Sequence, residues 1–364
     1  MKPKIIVIGS TGKLGVKLLN YCKKNNVQIL CITGFKNIRL LKKQASNLKI
    51  NHSFALSVRS DKDNFLKFLK KYNSDIIYFL DYGYQSIIYA NIFLTNNKNS
   101  KIAIANKEMI IAGGSILINK IKKTKNILIP LDSEHFSLIN CNINNKNIKK
   151  VYITASGGPF YFKKNIDLNN VSLQNVKSHP KWKMGINNSI DSSNFVNKIL
   201  EMYEVSIIFD IGMNKIDFLI SPEAYIHSIV INKDDIISIN CFENNMIIPL
   251  IKPLKLFYPD LSLHTKSTFL KLKMLRLEKF NDKRYKFIKK LDFFKSFNSH
   301  KKISFMILNN IAHKKYLSGE IDYNDIIDFI MSKLKNVDSS INLDTISNRI
   351  KFIQSIEKKY NVIN

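Results

Sequence analysis

Short runs rich in isoleucine and valine, separated by longer amphipathic stretches, fill the first 130 or so residues, and this alternation restricts the fold more than any other feature. The runs are Ile5–Ile8, Gln28–Thr33, Ser53–Val58, Asp75–Leu80, Ile102–Ala105 and Ile127–Pro130. Short and almost continuously apolar, they read as strands buried on both faces. The stretches between them, such as Leu14–Asn25 and Lys62–Tyr72, have helical spacing. Strand and helix in alternation predict βαβ units and a parallel sheet.

The first turn of that pattern is Gly9-Ser10-Thr11-Gly12-Lys13-Leu14-Gly15, directly after the first strand and opening the first helix. A dinucleotide site needs this context: one glycine for a tight turn, one for close approach of backbone N–H groups to a pyrophosphate, and one for helix packing. The spacing is GxxGxxG, common among NADP-linked reductases. Glycine in such a turn can also be purely conformational, but its place after a first buried strand favours the cofactor. After the second strand the chain reads Gly34-Phe35-Lys36-Asn37-Ile38-Arg39. It lacks the carboxylate that would bind a ribose 2′-hydroxyl, and Lys36 with Arg39 can pair with a 2′-phosphate. NADPH is therefore the expected cofactor.

Beyond about Lys150 the pattern changes. Val151–Ala155, Phe218–Ser221 and Ile226–Ile231 read as strands around one long helical segment, Asp191–Phe209. From about Pro259 strand signals fade, and Phe287–Phe294, Ile303–Leu317, Tyr323–Leu334 and Leu343–Tyr360 have helical periodicity. The expected architecture is α/β: a Rossmann-like NADPH-binding domain (1–130), a central α+β catalytic domain (131–258), a connecting segment (259–284) and a C-terminal helical domain (285–364).

Among 364 residues, 57 Lys+Arg face 28 Asp+Glu, a formal charge of +29. Such a charge suits nucleic-acid binding. Lysine, asparagine and isoleucine are enriched together along the whole chain, however, as AT-rich coding produces, and no basic block is dense enough to form an arm. We expect no nucleic-acid partner, and a basic surface that attracts small anions. No apolar run reaches the roughly 20 residues needed to span a bilayer, so no membrane association is expected. Four scattered cysteines without a CxxC pair give neither a disulfide framework nor a zinc site. With no leader-like segment before Ile5, a reducing cytoplasm is expected.

Three polar constellations stand out. Asp132-Ser133-Glu134-His135 follows an apolar run; in an extended chain Asp132 and Glu134 would project to one side and could share a divalent cation, while the alternative is a helix N-cap. Asn197, Lys198 and Glu201 would share one face of the long helix, as a ligand-binding set or a solvated salt-bridge face. His179-Pro180-Lys181-Trp182-Lys183-Met184-Gly185 holds the only tryptophan, in an apparent loop that suits a lid over a ligand.

Taken in order, Gly9–Gly15, Ala105-Asn106-Lys107-Glu108, Pro130–His135, Thr154–Phe160, His179–Gly185, Asp191-Ser192, Asn197–Glu201 and Ile226-His227-Ser228 give a chain that resembles the 1-deoxy-D-xylulose 5-phosphate reductoisomerase family over nearly its whole length. The resemblance implies that Asp132, Glu134 and Glu201 ligate Mg²⁺ or Mn²⁺. It implies that Ser156, Ser192, Asn197 and Lys198 hold a sugar-phosphate substrate together with Lys107, Ser133, Glu134, His179 and Glu201, and that Lys107, Glu134, His179 and Trp182 serve catalysis. Thr11, Gly12, Lys13, Leu14, Lys36, Asn37, Asn106, Glu108 and Gly185 match the NADPH positions, and a homodimer is expected. The implied chemistry is cleavage and rejoining of the carbon skeleton, then hydride reduction of the aldehyde. The chain departs from the family at Phe35, Asp81-Tyr82-Gly83-Tyr84, Ser178, Ile186-Asn187, Ser221 and Asn310. Alternative readings are another NADP-linked reductase of the semialdehyde or homoserine dehydrogenase type, or a basic RNA-binding protein. The first would not need the three carboxylates, and no cysteine sits in a nucleophile context.

If Trp182 covers a ligand, Trp182→Ala should reduce turnover far more than stability. A core tryptophan would instead lose roughly 3–5 kcal/mol. Thermal unfolding and steady-state kinetics on this variant distinguish the two, and a large drop in melting temperature with near-normal specific activity would refute the lid.

Overall fold

A computed structural model describes residues 2–360 apart from 142, 144, 145, 164, 169, 170, 178–184, 264–267, 270 and 271. Two units result, one of Met1–Phe136 with Glu243–Phe269 and one of Ser137–Phe242 with Leu270–Asn364.

In the first unit, β1 (Ile5–Ile8), β2 (Cys31–Gly34), β3 (His52–Ala55), β4 (Ile76–Phe79), β5 (Lys101–Ile104) and β6 (Ile127–Pro130) alternate with α1 (Lys13–Lys24), α2 (Ile38–Asn47), α3 (Arg59–Lys71), α4 (Ser86–Asn96) and α5 (Lys107–Lys123). The strands form one parallel sheet in the order β3-β2-β1-β4-β5-β6. All residues of β1 and β4 are buried, as apolar runs covered on both faces require. Strand order reverses between β1 and β4, the point where such sheets open a crevice at their carboxyl ends. Three strands are shorter than their apolar runs, β4 by one residue at each end. Val27 and Ile29 are buried in the link from α1 rather than in β2, and Val58 N–H turns back to the Ala55 carbonyl, ending β3 early.

A helix from much later in the chain completes this core. Ile247, Leu250, Ile251 and Leu254 of α10 (Ile247–Lys255) join Ile5, Val7, Leu18 and Tyr78 in one cluster. The buried Tyr78 hydroxyl donates to the Leu250 carbonyl at 2.9 Å. Pro249 falls in the first turn, where its missing N–H costs no intrahelical bond.

After β6 the chain enters α6 (Ser133–Asn140). The second unit contains β7 (Ile148–Ala155), β8 (Ile216–Ile220), β9 (Ile226–Asn232), β10 (Ile237–Cys241) and β11 (Glu278–Lys279), ordered β10-β9-β7-β8-β11. Only β7 and β8 pair in parallel. Helix α7 (Leu173–Lys177) precedes α8 (Ile186–Ser193) and α9 (Val196–Phe209). The single long helix expected over Asp191–Phe209 is thus two helices. Buried Phe195 adopts φ +66°, and the Asn194 side chain accepts the Val196 N–H at 3.0 Å. Phe195 packs against Phe218, Phe280 and Tyr285, so ring packing holds an aromatic residue in a backbone conformation it otherwise avoids.

The tail comprises α11 (Lys286–Lys289), α12 (Leu291–Lys295), α13 (Ser299–Ser318), α14 (Asp325–Leu334) and α15 (Ile346–Tyr360). Its core helix, α13, is tied to α8 through buried Asp191, which accepts from Asn309 Nδ2 at 2.8 Å and lies 3.0 Å from His313 Nε2. The tail therefore belongs to the same unit as β7–β9.

Leu250→Ala should cost about 2–5 kcal/mol because Leu250 is fully buried. Urea unfolding checks this, and a loss below about 1 kcal/mol would mean that α10 is not part of the sheet's core.

Candidate active site

The glycine turn is fixed by close packing. A Cβ on Gly9 (φ +83°) would lie 2.5 Å from Asp81 N, and one on Gly15 would lie 2.4 Å from the Gly9 carbonyl oxygen. Gly12 differs, because its added Cβ would meet nothing nearer than 3.4 Å. Gly9 and Gly15 are thus demanded by the fold, while exposed Gly12, the N-cap of α1, keeps the helix N-terminus uncovered for an anion. Thr11 packs near Gly34, whose Cβ would come within 2.9 Å of the threonine methyl. Lys13 is exposed and Leu14 half-buried. Residues not singled out from sequence brace the turn. Ser10 N–H donates to the Thr33 carbonyl at 2.8 Å, Ser10 Oγ donates to Gln44 Oε1 at 2.8 Å, and Gln44 Nε2 donates back to the Ser10 carbonyl. The cradle fits a pyrophosphate. Lys36 and Asn37 follow β2, with Asn37 capping α2 by accepting the Leu40 N–H.

Across the strand-order reversal, Asp81 follows β4. It accepts from Ser86 Oγ at 2.5 Å and from Asn106 Nδ2 at 3.1 Å, while Asn106 also donates to the Gly83 carbonyl. Asn106 Oδ1 caps α5 by accepting the Met109 N–H, which places Lys107 and Glu108, both buried, in that helix's first turn. Burial pushes the Asp81 carboxyl up to about 6 against the opposing pull of its Ser86 and Asn106 donors.

The Asp132–His135 segment is not extended as one sequence reading has it. Helix α6 begins at Ser133, and Asp132 Oδ1 accepts the Glu134 N–H at 3.2 Å, a capping contact. Capping and cation binding are nonetheless compatible here, because a carboxylate oxygen of Asp132 and one of Glu134 still lie within 4.8 Å of each other. Ser133 Oγ donates to Glu134 Oε2. Buried His135, another residue not assigned a role from sequence, places Nδ1 3.0 Å from Asp132 Oδ1 and so orients that carboxylate.

In the second unit, Ser156 lies between β7 and two left-handed glycines, Gly157 (φ +101°) and Gly158 (φ +68°). A Cβ on Gly158 would lie 2.7 Å from the Ser192 carbonyl oxygen, so the Ser156 loop is pressed onto the end of α8. This brings together two of the predicted phosphate-binding serines. At the start of α9, Asn197 Nδ2 donates to Glu201 Oε1, and buried Lys198 Nζ lies 2.5 Å from buried Glu201 Oε2. The set is a packed, charge-compensated cluster rather than a solvated face. Gly185 caps α8 and is exposed. His179 and Trp182 lie outside the described residues.

Because folding favours the protonated form of Asp81, stability from this group is full below the unfolded carboxylate range and is lost as pH rises through about 6. Asp81→Asn cannot ionise, so the melting temperature of the variant minus that of wild type should become more positive from pH 5 to pH 8. A difference that stays flat would show that Asp81 does not titrate in this window.

Residues 128–209 match the model of the 1-deoxy-D-xylulose 5-phosphate reductoisomerase C-terminal domain. The 1-deoxy-D-xylulose 5-phosphate reductoisomerase of Pelagibacter ubique is 32% identical, over 89% of this chain and 88% of its own length. That of the Wolbachia of Culex pipiens is 28% identical over 95% and 94%. Among solved structures, the Zymomonas mobilis enzyme in complex with NADPH superposes with TM-score 0.84 at 22% identity, covering 99% of this chain and 98% of its own. A DOX-P reductoisomerase in complex with NADPH, fosmidomycin and magnesium gives 0.87 at 22%, over 98% and 96%. The structural matches establish a shared fold; with the sequence match running the length of both proteins, the chain belongs to the 1-deoxy-D-xylulose 5-phosphate reductoisomerase family.

Proposed function

We propose that the chain catalyses the NADPH- and divalent-metal-dependent rearrangement and reduction of 1-deoxy-D-xylulose 5-phosphate to 2-C-methyl-D-erythritol 4-phosphate, a step of isoprenoid precursor synthesis. The observation that carries this reading is the 32% identity spread over 89% of the chain, which makes the glycine turn and the carboxylates parts of one enzyme. When bound, NADPH supplies the hydride and the cation supplies positive charge for the oxygen anion that develops during rearrangement.

The chain's residues bind and orient. Backbone N–H groups around Gly12 face the pyrophosphate, and Thr11, Lys13, Leu14, Lys36, Asn37, Asn106, Glu108 and Gly185 complete the NADPH contacts. Ser156 and Ser192 hold the substrate phosphate with Asn197 and Lys198. The Lys198 Nζ lies 2.5 Å from Glu201 Oε2, which ties this donor to the carboxylate on the same helix face. Asp132, Glu134 and Glu201 ligate Mg²⁺ or Mn²⁺; hard oxygen donors suit either ion, and the Asp132–Glu134 spacing and the His135 contact support a preset pair. Lys107, Ser133 and His179 contact the sugar, and Trp182 excludes water from it.

A homodimer and a cytoplasmic location belong to the same proposal. Edge strand β10 exposes Ile237 and Ile239, with Ile236 beside them, a row that a second copy would cover. The four cysteines are free, and no helix among the described residues is long and apolar enough to cross a membrane.

The purified chain should oxidise NADPH only with the sugar phosphate and Mg²⁺ or Mn²⁺ present, and a chelator should abolish the reaction. Asp132→Asn should lower kcat by about a hundredfold or more while leaving the melting temperature near that of wild type. Turnover unaffected by chelator would overturn the metal assignment, and no turnover under any condition would overturn the activity.

A further inference from the structure

We propose that Arg59 and Lys62, at the start of α3, bind the adenosine 2′-phosphate of NADPH and set the preference for NADPH over NADH. The proposal rests on the NADPH-dependent reading above. Sequence alone points to Lys36 and Arg39 for this phosphate, with Asn37 beside them at a family NADPH position, but the structure distributes the work differently. The Asn37 side chain is engaged as the cap of α2. Arg39 does not line the cavity of about 740 Å³ that lies beyond β2 and β3, whereas Phe35, Lys36, Ser57, Arg59, Lys62 and Asp63 do.

In a sheet of this order the ribose of a dinucleotide is recognised just after the second strand, and this cavity occupies that position. Three cations, Lys36, Arg59 and Lys62, line it against the single carboxylate of Asp63. No ion pair engages any of the three among the described residues. Their donors remain for a ligand, and a dianionic phosphate is the group that two or three converging cations recognise. The acid of the helix's first turn, Asp61, is already engaged, accepting the Ala55 N–H at 2.8 Å. Ser57 Oγ donates to the Phe35 carbonyl at 2.7 Å, tying the loop after β3 to the loop after β2. Phe35 itself is 60% exposed and offers a ring face on which an adenine can stack.

The test is a set of dissociation constants for NADPH, NADH, 2′,5′-ADP and 5′-AMP, measured on the full chain by calorimetry for wild type, Arg59→Gln/Lys62→Gln and Arg59→Glu. Wild type should prefer NADPH. The double variant should weaken NADPH and 2′,5′-ADP by at least about tenfold and change NADH and 5′-AMP by less than about twofold, with Arg59→Glu acting in the same direction. Arg59 is exposed, so its variant should keep the wild-type melting temperature and guards against a folding defect in the double variant. An unchanged NADH-to-NADPH ratio in both variants, with wild type still preferring NADPH, overturns this proposal and leaves the enzyme reading standing. A wild type that binds neither dinucleotide overturns both.

Discussion

The backbone of Asp81 lies 2.5 Å from where a side chain on Gly9 would begin, and the organisation of the first unit follows from that contact. It lets the turn after β1 sit directly against the end of β4, at the point where the strand order reverses. Gly15 then draws α1 down onto the same turn, and Gly12 is left as the open position. Ser10, Thr33 and Gln44 hold the geometry with hydrogen bonds inside the protein, so the bracing of the turn comes from the chain itself. Bracing of this kind reduces the ordering that binding an anion would cost.

The second unit reaches a similar end with different means. Its serine loop approaches α8 because Gly158 leaves room for the Ser192 carbonyl, and α8 is in turn anchored to the tail through Asp191, Asn309 and His313. Buried polar groups are costly unless paired, so these contacts fix the register of the helix that carries Ser192. The tail is part of the support for the helix that carries Ser192, one of the residues proposed to hold the substrate phosphate.

Much of the fold is legible in the sequence because β1, β2 and β4 are buried throughout and β5 nearly so, and their apolar runs stand out against the amphipathic stretches between them. What escapes reading is what tertiary packing decides. Pro249 and Pro253 obscure α10, which forms because its apolar face meets the sheet. Strand β10 is an exposed edge without inward burial to mark it. The break at Phe195 depends on three aromatic neighbours distant in sequence. Of the proposed metal ligands, the residue types of Asp132, Glu134 and Glu201 are visible in the motifs. The bracing roles of Thr33, Gln44, His135 and Asn106 exist only once strands and helices have come together.

The position of α10 also governs how the protein comes off the ribosome. Residues Met1–Phe136 contain every strand of the parallel sheet, yet the helix that completes its core is made only after the strands β7 to β10 have been synthesised. Until then Ile5, Val7 and Tyr78 lack their partners on that face, and the nascent sheet exposes apolar surface of the kind that recruits chaperones. The first unit is consequently a late product of translation despite its early sequence, and a fragment cut at residue 136 would carry the glycine turn on an unfinished core.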